Sequence, residues 1–296
     1  MPSTAIVIGT GAMGPEIAAA LGAAGVHITI AGRSASRAAD AAARAAALRG
    51  DGSPPPAAAA IADAPFAAAE LVVETITEDL EAKRALMRDV TPRCAPDAVI
   101  ATNTSSLRVG DIAEAVVGPE RFGGLHFLKP AHLTGVVEVI PGPRTSAATT
   151  ARLREFGTAM GKTPLLVRAD VPGFIWNRVQ FAVLRECLHM VQEGVASAED
   201  VDAAVADGLA ARWVAAGPLA TADLGGLRTF ATICGQLFPH LASGTEAPPL
   251  LTEHAESGTP LAPWTRGERA DAVAALRADA LRSAREFTRR RRELGA

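Results

Sequence analysis

Ala5-Ile6-Val7-Ile8-Gly9-Thr10-Gly11-Ala12-Met13-Gly14, followed by a helix-compatible stretch over residues 15–24, is the segment on which the fold turns. Four apolar residues in a row read as a buried strand. A glycine-x-glycine-x-x-glycine turn between such a strand and a helix is the setting in which this pattern binds a dinucleotide. Gly9 permits the tight turn, Gly11 lets the backbone approach a pyrophosphate, and Gly14 allows the helix to pack closely on the strand. Ala12 and Met13 complete the turn at the helix N-terminus, whose free N–H groups stabilise the anion.

Outward from this segment, short apolar runs alternate with longer helix-compatible stretches. The runs are residues 5–8, 28–31, 71–73, 99–101, 136–140 and 165–167. Such alternation predicts βαβ units and a doubly wound, mostly parallel sheet of Rossmann type. Asp51-Gly52-Ser53-Pro54-Pro55-Pro56 and Pro141-Gly142-Pro143 read as turns or loops. Past Val171-Pro172-Gly173-Phe174 no strand-like run follows, so the expected domains are a dinucleotide-binding domain over residues 1–171 and a smaller all-α domain over residues 172–296. Residues 244–263, rich in Gly, Pro, Ser and Thr, read as a long irregular connection before a charged helix from about Arg266 to Arg291.

The 296 residues carry a formal net charge of -3, with 49% hydrophobic and 21% charged residues, the balance of a globular protein. That charge offers no broad basic field for nucleic acid, and no apolar run is long enough to span a membrane. Met1 leads directly into the first strand without a basic leader, so a cytoplasmic location is expected. Cys94, Cys187 and Cys234 lie far apart, without metal-ligand spacing.

At the end of the second strand, where an acidic ligand for the adenosine ribose usually stands, the sequence has Gly32 followed by Arg33 and Ser34. A carboxylate there would repel a 2′-phosphate, whereas Arg33 offers that phosphate a forked pair of charge-assisted hydrogen bonds and Ser34 another. NADP is therefore expected over NAD, the alternative being a solvated loop arginine.

Two further segments carry chemistry. Arg121-Phe122-Gly123-Gly124-Leu125-His126-Phe127 and Gly135-Val136-Val137-Glu138-Val139-Ile140 read as strands joined by a proline-containing turn. Glu138 in an apolar strand needs a partner, and His126 is the nearby one. The pair is either structural or an acid/base couple in which Glu138 fixes the imidazole tautomer and stabilises its cation. Asn103-Thr104-Ser105-Ser106 lies past the carboxyl end of the run over residues 99–101, on the ligand side of such a sheet. Asn177 shares a helix face with Phe181, Leu184 and Leu188, so its amide needs a partner. Substrate, His126 or backbone at the helix start would each serve.

Taken together, these residues resemble the L-3-hydroxyacyl-CoA dehydrogenase family. The likeness spans most of the chain. It takes in the Gly9 fingerprint, Leu71-Val72-Val73-Glu74, Glu78-Asp79-Leu80-Glu81-Ala82-Lys83, Asn103-Thr104-Ser105-Ser106-Leu107, Gly124-Leu125-His126-Phe127, Val137-Glu138-Val139-Ile140, Val171-Pro172-Gly173-Phe174-Ile175-Trp176-Asn177-Arg178 and Gly217-Pro218-Leu219. The resemblance implies that His126 is the general acid/base and Glu138 its orienting partner. Ser105 and Asn177 would be hydrogen-bonding groups at the reacting oxygen and a nearby carbonyl. It implies cofactor-side places for Glu74, Lys83 and Asn103, although a surface helix charge pair is an alternative for Lys83. It also implies a homodimer formed through the helical domain.

The sequence departs from the family in places. Lys129 stands where the family carries an amide, and either contacts an acidic substrate group or is solvated. Only residues 34–68, interrupted by prolines, are available where acyl-CoA relatives place a helical hairpin that helps bind CoA. Arg212-Trp213 is similar to relatives acting on small sugar acids or carnitine. The expected substrate is therefore a short 3-hydroxyacyl thioester on CoA or an acyl carrier protein. A small free 3-hydroxy acid is the alternative, and a non-catalytic dinucleotide-binding protein a more remote one.

Overall fold

The computed structural model describes residues 2–265 and 267–293. The chain divides into two compact units, Met1–Asn177 and Arg178–Ala296.

The first unit is built on an eight-stranded sheet: β1 (Thr4–Ile8), β2 (His27–Gly32), β3 (Ala57–Ala60), β4 (Leu71–Glu74), β5 (Val99–Thr102), β6 (Phe122–Phe127), β7 (Val136–Ile140) and β8 (Thr163–Leu166), in the order β3-β2-β1-β4-β5-β6-β7-β8. β6 pairs with β7 antiparallel, and the other neighbours run parallel. This is a doubly wound sheet whose order reverses between β1 and β4, the place where such sheets bind ligands at the strands' carboxyl ends.

The central strands are mostly apolar because both of their faces are covered. Ala5 and Val7 join Ile17, Leu21, Ala38 and Phe156 in one core, whereas Ile6 and Ile8 join Phe66, Met87, Val90 and Ile112 in the other. The helices on these faces are α1 (Met13–Ala23), α2 (Ala35–Arg49), α3 (Leu80–Val90), α4 (Val109–Ala113) and α5 (Ala147–Ala159). Alternation decides where the site forms. Leu125, Phe127, Val137 and Val139 face the first core, so His126 and Glu138 face the second, together with Phe174.

Several expectations need correction. α1 begins at Met13, inside the glycine turn, two residues before the expected start. β3 was not foreseen, since Ala57–Ala60 has weak intrinsic strand preference and is a strand because its backbone pairs with β2. The two compact units divide after Asn177, because the residues that follow Val171 are hydrogen-bonded into the sheet unit.

The second unit follows α6 (Trp176–Gln192) with α7 (Ala198–Ala203), a wide helical stretch over Ala204–Ala210, α8 (Ala211–Ala215), α9 (Pro218–Gly225), α10 (Leu227–Leu237), α11 (Pro249–Ser257) and α12 (Ala270–Glu293). The expected irregular connection over residues 244–263 thus contains a helix, which starts with proline at its first position. The final charged helix begins at Ala270; Arg266 lies outside the described residues. Among the described residues of this unit, Leu188 and Val201 are the buried apolar side chains, while Phe181, Leu219, Leu224, Leu227, Phe238 and Leu276 are more than half exposed. No described helix is long and apolar enough to cross a membrane.

Candidate active site

The glycine turn sits at the reversal point of the sheet. Gly9 has φ 133°, and its N–H donates to the Ala31 carbonyl (2.9 Å) while Thr75 N–H donates to the Ile8 carbonyl (2.8 Å). A side chain on Gly9 would strike the Thr75 carbonyl, and one on Gly14 would strike the Gly9 carbonyl. A Cβ on Gly11 meets nothing within 4 Å. The turn is thus closed toward the protein and open on its outer side, above the first N–H groups of α1. That shape and those donors fit a dinucleotide pyrophosphate.

At the end of β2, a Cβ on Gly32 would come within 2.8 Å of Thr10 Cγ2, which explains the lack of an acidic residue there. Arg33 is exposed. Ser34 caps α2, its Oγ accepting from Arg37 N–H at 3.4 Å and lying 3.1 Å from Ser36 Oγ. Arg44, which the sequence reading passed over, reaches from α2 to donate to the Thr10 carbonyl at 2.6 Å and braces the glycine turn.

Beyond β4 and β5 lies a second cluster. Glu74 is fully buried. Its Oε1 accepts from Ile76 N–H and Lys83 Nζ, and its Oε2 from Thr102 Oγ1, each at 2.6 Å. Lys83 is 1% exposed, so it forms a buried ion pair and not the surface pair considered above. Asn103 turns inward, its Oδ1 accepting from Phe127 N–H at 2.8 Å.

Glu78 organises the loop after Asn103. Its Oε1 accepts from Thr104 Oγ1 (2.6 Å), from Ser105 and Ser106 N–H (both 2.8 Å) and from Ser106 Oγ (3.0 Å); Ser105 Oγ is more distant, at 3.4 Å. Burial alone would raise this carboxyl, but those hydrogen bonds and the Lys83 ammonium at 3.5 Å hold it down at about 2. Glu78 was noted only as part of a motif. Its acceptor role becomes visible once the loop folds over it.

His126 and Glu138 are directly opposite in the β6–β7 pairing. Nδ1 of His126 lies 2.6 Å from Glu138 Oε2, with His126 4% exposed and Glu138 fully buried. The other carboxylate oxygen accepts from the N–H groups of Ile175 (2.8 Å) and Trp176 (2.9 Å). Burial pushes the Glu138 carboxyl up, and the hydrogen bonds from His126, Trp176 and Ile175 outweigh it, leaving the group below its ordinary value. Since Glu138 is ionised, Nδ1 carries the proton and donates it, which leaves Nε2 of a neutral imidazole with its lone pair.

The two backbone donors are aimed by the turn before α6, where Gly173 has φ 78° and Phe174, unusually for a non-glycine, φ 51°. The Phe174 ring is 1% exposed and packs 5.5 Å from the imidazole, centroid to centroid. Asn177, at the start of α6, donates from Nδ2 to the Ser105 backbone carbonyl at 3.0 Å, a partner different from the three considered in the sequence. The structure therefore links the Ser105 loop to the residues that hold Glu138. Lys129, in contrast, stands on the turn after β6 and is exposed.

Comparison with known proteins places these features in one family. The sequence model of the 3-hydroxyacyl-CoA dehydrogenase NAD-binding domain matches residues 57–171, and that of the 3-hydroxyacyl-CoA dehydrogenase C-terminal domain matches residues 173–261, together more than half of the chain. The chain belongs to the 3-hydroxyacyl-CoA dehydrogenase family. Among relatives within or beside it, 5-formyl-3-hydroxy-2-methylpyridine 4-carboxylate 5-dehydrogenase of Mesorhizobium japonicum is 32% identical over 185 residues, 62% of this chain and 60% of that protein. A probable 3-hydroxybutyryl-CoA dehydrogenase of Deinococcus radiodurans is 37% identical over 194 residues, covering 65% and 68%. The matched segment thus spans about two thirds or less of the length of these curated relatives. A crystal structure of a 5-formyl-3-hydroxy-2-methylpyridine 4-carboxylic acid 5-dehydrogenase, described as an NAD+-dependent dismutase, superposes with a TM-score of 0.86 at 28% identity, covering 97% of this chain and 98% of that one.

In this member of the 3-hydroxyacyl-CoA dehydrogenase family, the Glu78 network has a testable pH signature. A carboxyl held at about 2 in the fold, against an ordinary 4.5, contributes stability that is present above the unfolded value and is lost as pH falls toward the folded one. The urea midpoint of the wild type should therefore exceed that of Glu78→Gln at pH 6, with the gap narrowing steadily from pH 4.5 to pH 3. A gap independent of pH would remove the assigned charge.

Proposed function

We propose that this chain is a nicotinamide-dependent oxidoreductase that interconverts the hydroxyl and the ketone at the 3-position of a short 3-hydroxyacyl thioester, carried on CoA or a carrier protein. The observation that carries the reading is the His126–Glu138 couple, with Nδ1 committed to the carboxylate at 2.6 Å and Nε2 left for a substrate proton. When bound, the nicotinamide supplies the hydride acceptor or donor. The glycine turn over Gly9, Gly11, Ala12, Met13 and Gly14 would hold its pyrophosphate.

In oxidation, neutral His126 takes the hydroxyl proton on Nε2, and Glu138 stabilises the resulting imidazolium. In reduction, His126 begins protonated and donates to the oxygen of the nascent alcohol. Because Glu138 is fixed by two backbone N–H groups, the imidazole stays aimed while its charge changes. Ser105 Oγ, only loosely engaged by Glu78, and the remaining amide atoms of Asn177 would hydrogen-bond the substrate oxygens. Glu74, Lys83 and Asn103 act in this reading as positioning residues that set the cofactor-side loops.

One observation favours a small free 3-hydroxy acid as a second reading. Residues 34–68 form α2, the short β3 and two single-turn helices in place of a helical hairpin, and the relative of closely similar length and shape is named for a free pyridine carboxylate.

Arg33 favours NADP within this reading, because the residue before it is Gly32 and no carboxylate stands at the end of β2. The helical unit forms a homodimer, since the two buried apolar side chains among its described residues are far too few to stabilise a unit of this size and its exposed leucines and phenylalanines need cover.

Initial rates of NADPH and NADH oxidation with acetoacetyl-CoA, the same acyl group on a carrier protein, and acetoacetate test the substrate. His126→Ala should lower turnover by about a hundredfold to ten-thousandfold while leaving dinucleotide affinity intact; unchanged turnover rejects the mechanism. Arg33→Ala should weaken NADP binding about tenfold to a hundredfold and NAD binding little, and equal losses would reject the phosphate role. Light scattering should return the mass of two chains, and a one-chain mass would overturn the dimer.

A further inference from the structure

The three glycines of the turn after β1 are not held alike. Gly9 and Gly14 are fixed by packing, since a side chain on either would strike backbone, that of Thr75 or that of Gly9. Gly11 is exposed, and beyond its chain neighbours a Cβ there meets nothing within 4 Å. With neither a side chain nor a neighbour to limit it, the backbone at Gly11 is the loosest part of the turn. It is also the part that approaches the dinucleotide in the reading above.

Arg44 acts on this part from α2. Its guanidinium donates to the Thr10 carbonyl at 2.6 Å, a charge-assisted bond across 34 residues. The Thr10 carbonyl and the Gly11 N–H belong to one planar trans peptide and point in opposite directions. Holding the carbonyl toward α2 therefore turns the N–H away from α2 and keeps the peptide from flipping. The sequence of α2 makes the reach possible. Its buried face is Ala38, Ala41, Ala42 and Ala45, in one core with Ile17 and Leu21 of α1, and such small side chains let the two helices approach closely. Helical side chains tilt toward the helix N-terminus, which for α2 is the end that follows Gly32, beside Thr10.

We infer that Arg44 is a positioning residue for the dinucleotide, locking the Thr10–Gly11 peptide in the orientation that receives the pyrophosphate. The inference rests on the reading of the glycine turn as the pyrophosphate site, and it assigns Arg44 a part distinct from that of Arg33. Arg33 is matched to a phosphate that only NADP carries, whereas Arg44 acts where NAD and NADP are identical. Loss of Arg44 therefore weakens both dinucleotides by one factor. That factor is about fivefold to thirtyfold, since an exposed charge-assisted bond stands at or below the lower end of its range.

The test is fluorescence titration of NADH and of NADPH into the wild type, Arg44→Met and Arg44→Lys. Methionine suits an exposed helix position and keeps the aliphatic stem without the donor, while lysine keeps a charged donor. Arg44→Met should lower both affinities by the same factor, and Arg44→Lys should recover most of the loss. The loss should persist at about 0.5 M salt, where the Debye length is about 4 Å and a charge acting only through solvent is screened. A loss confined to NADPH, or one that disappears in salt, overturns the lock. Wild-type affinities in Arg44→Met remove Arg44 and leave the glycine turn as the dinucleotide site; a wild type that binds neither dinucleotide removes that reading and the inference with it.

Discussion

A fully buried carboxylate in the middle of an apolar strand is the constraint around which the first unit is arranged. Glu138 lies between Val137 and Val139 in β7, with no access to water, and an ionised group there would cost several kcal/mol if left unsatisfied. Three donors prevent that: the His126 ring and the N–H groups of Ile175 and Trp176. The donors come from two distant places in the chain, β6 and the turn into α6. Satisfying one charge therefore fixes the β6–β7 register and the turn after Val171, and it sets the first residues of α6, Asn177 among them. The placement of the His126 ring follows from solvating this group with protein.

The same device recurs at the carboxyl end of the sheet. Glu74 and Lys83 neutralise each other under the loop after β4, Glu78 gathers the hydroxyls and amides of residues 104–106, and Glu16 with Lys162 holds both peptide groups of Ala131. Buried pairs of this kind contribute little net stability compared with apolar packing, so their effect is better described as specifying loop conformation. Loops that must hold a ligand need shape more than they need stability.

What the sequence disclosed follows from the range of the interactions. The apolar runs and the glycine turn are local patterns, and they led correctly to the sheet and its mostly parallel sense. His126 and Glu138 could be paired in advance because a short connection makes their strands neighbours. Glu16 and Lys162 could not, since 115 residues separate Glu16 from Ala131 and only the fold brings them together. Lys83 reads as a surface residue of a charged helix until Glu74 is seen beneath it. β3 is hidden by its composition, as four alanines carry no strand signal and their pairing to β2 is decided by backbone donors and acceptors alone. α11 was masked by the Gly, Pro, Ser and Thr around it.

Phe174 shows how such a network tolerates strain. A phenylalanine at φ 51° costs about 1–3 kcal/mol relative to an extended or helical backbone. Against this stand two hydrogen bonds to an ionised carboxylate, each of about 1.5–3 kcal/mol, and burial of the aromatic ring, of about 1.5–3 kcal/mol. The favourable terms exceed the strain, so the turn is held in a conformation the chain would not choose locally. Glycine at 174 would adopt that backbone freely, but it would give up the ring that packs on His126. Local backbone preference and the environment of the imidazole thus make opposing demands on one position, and the sequence resolves them in favour of the imidazole.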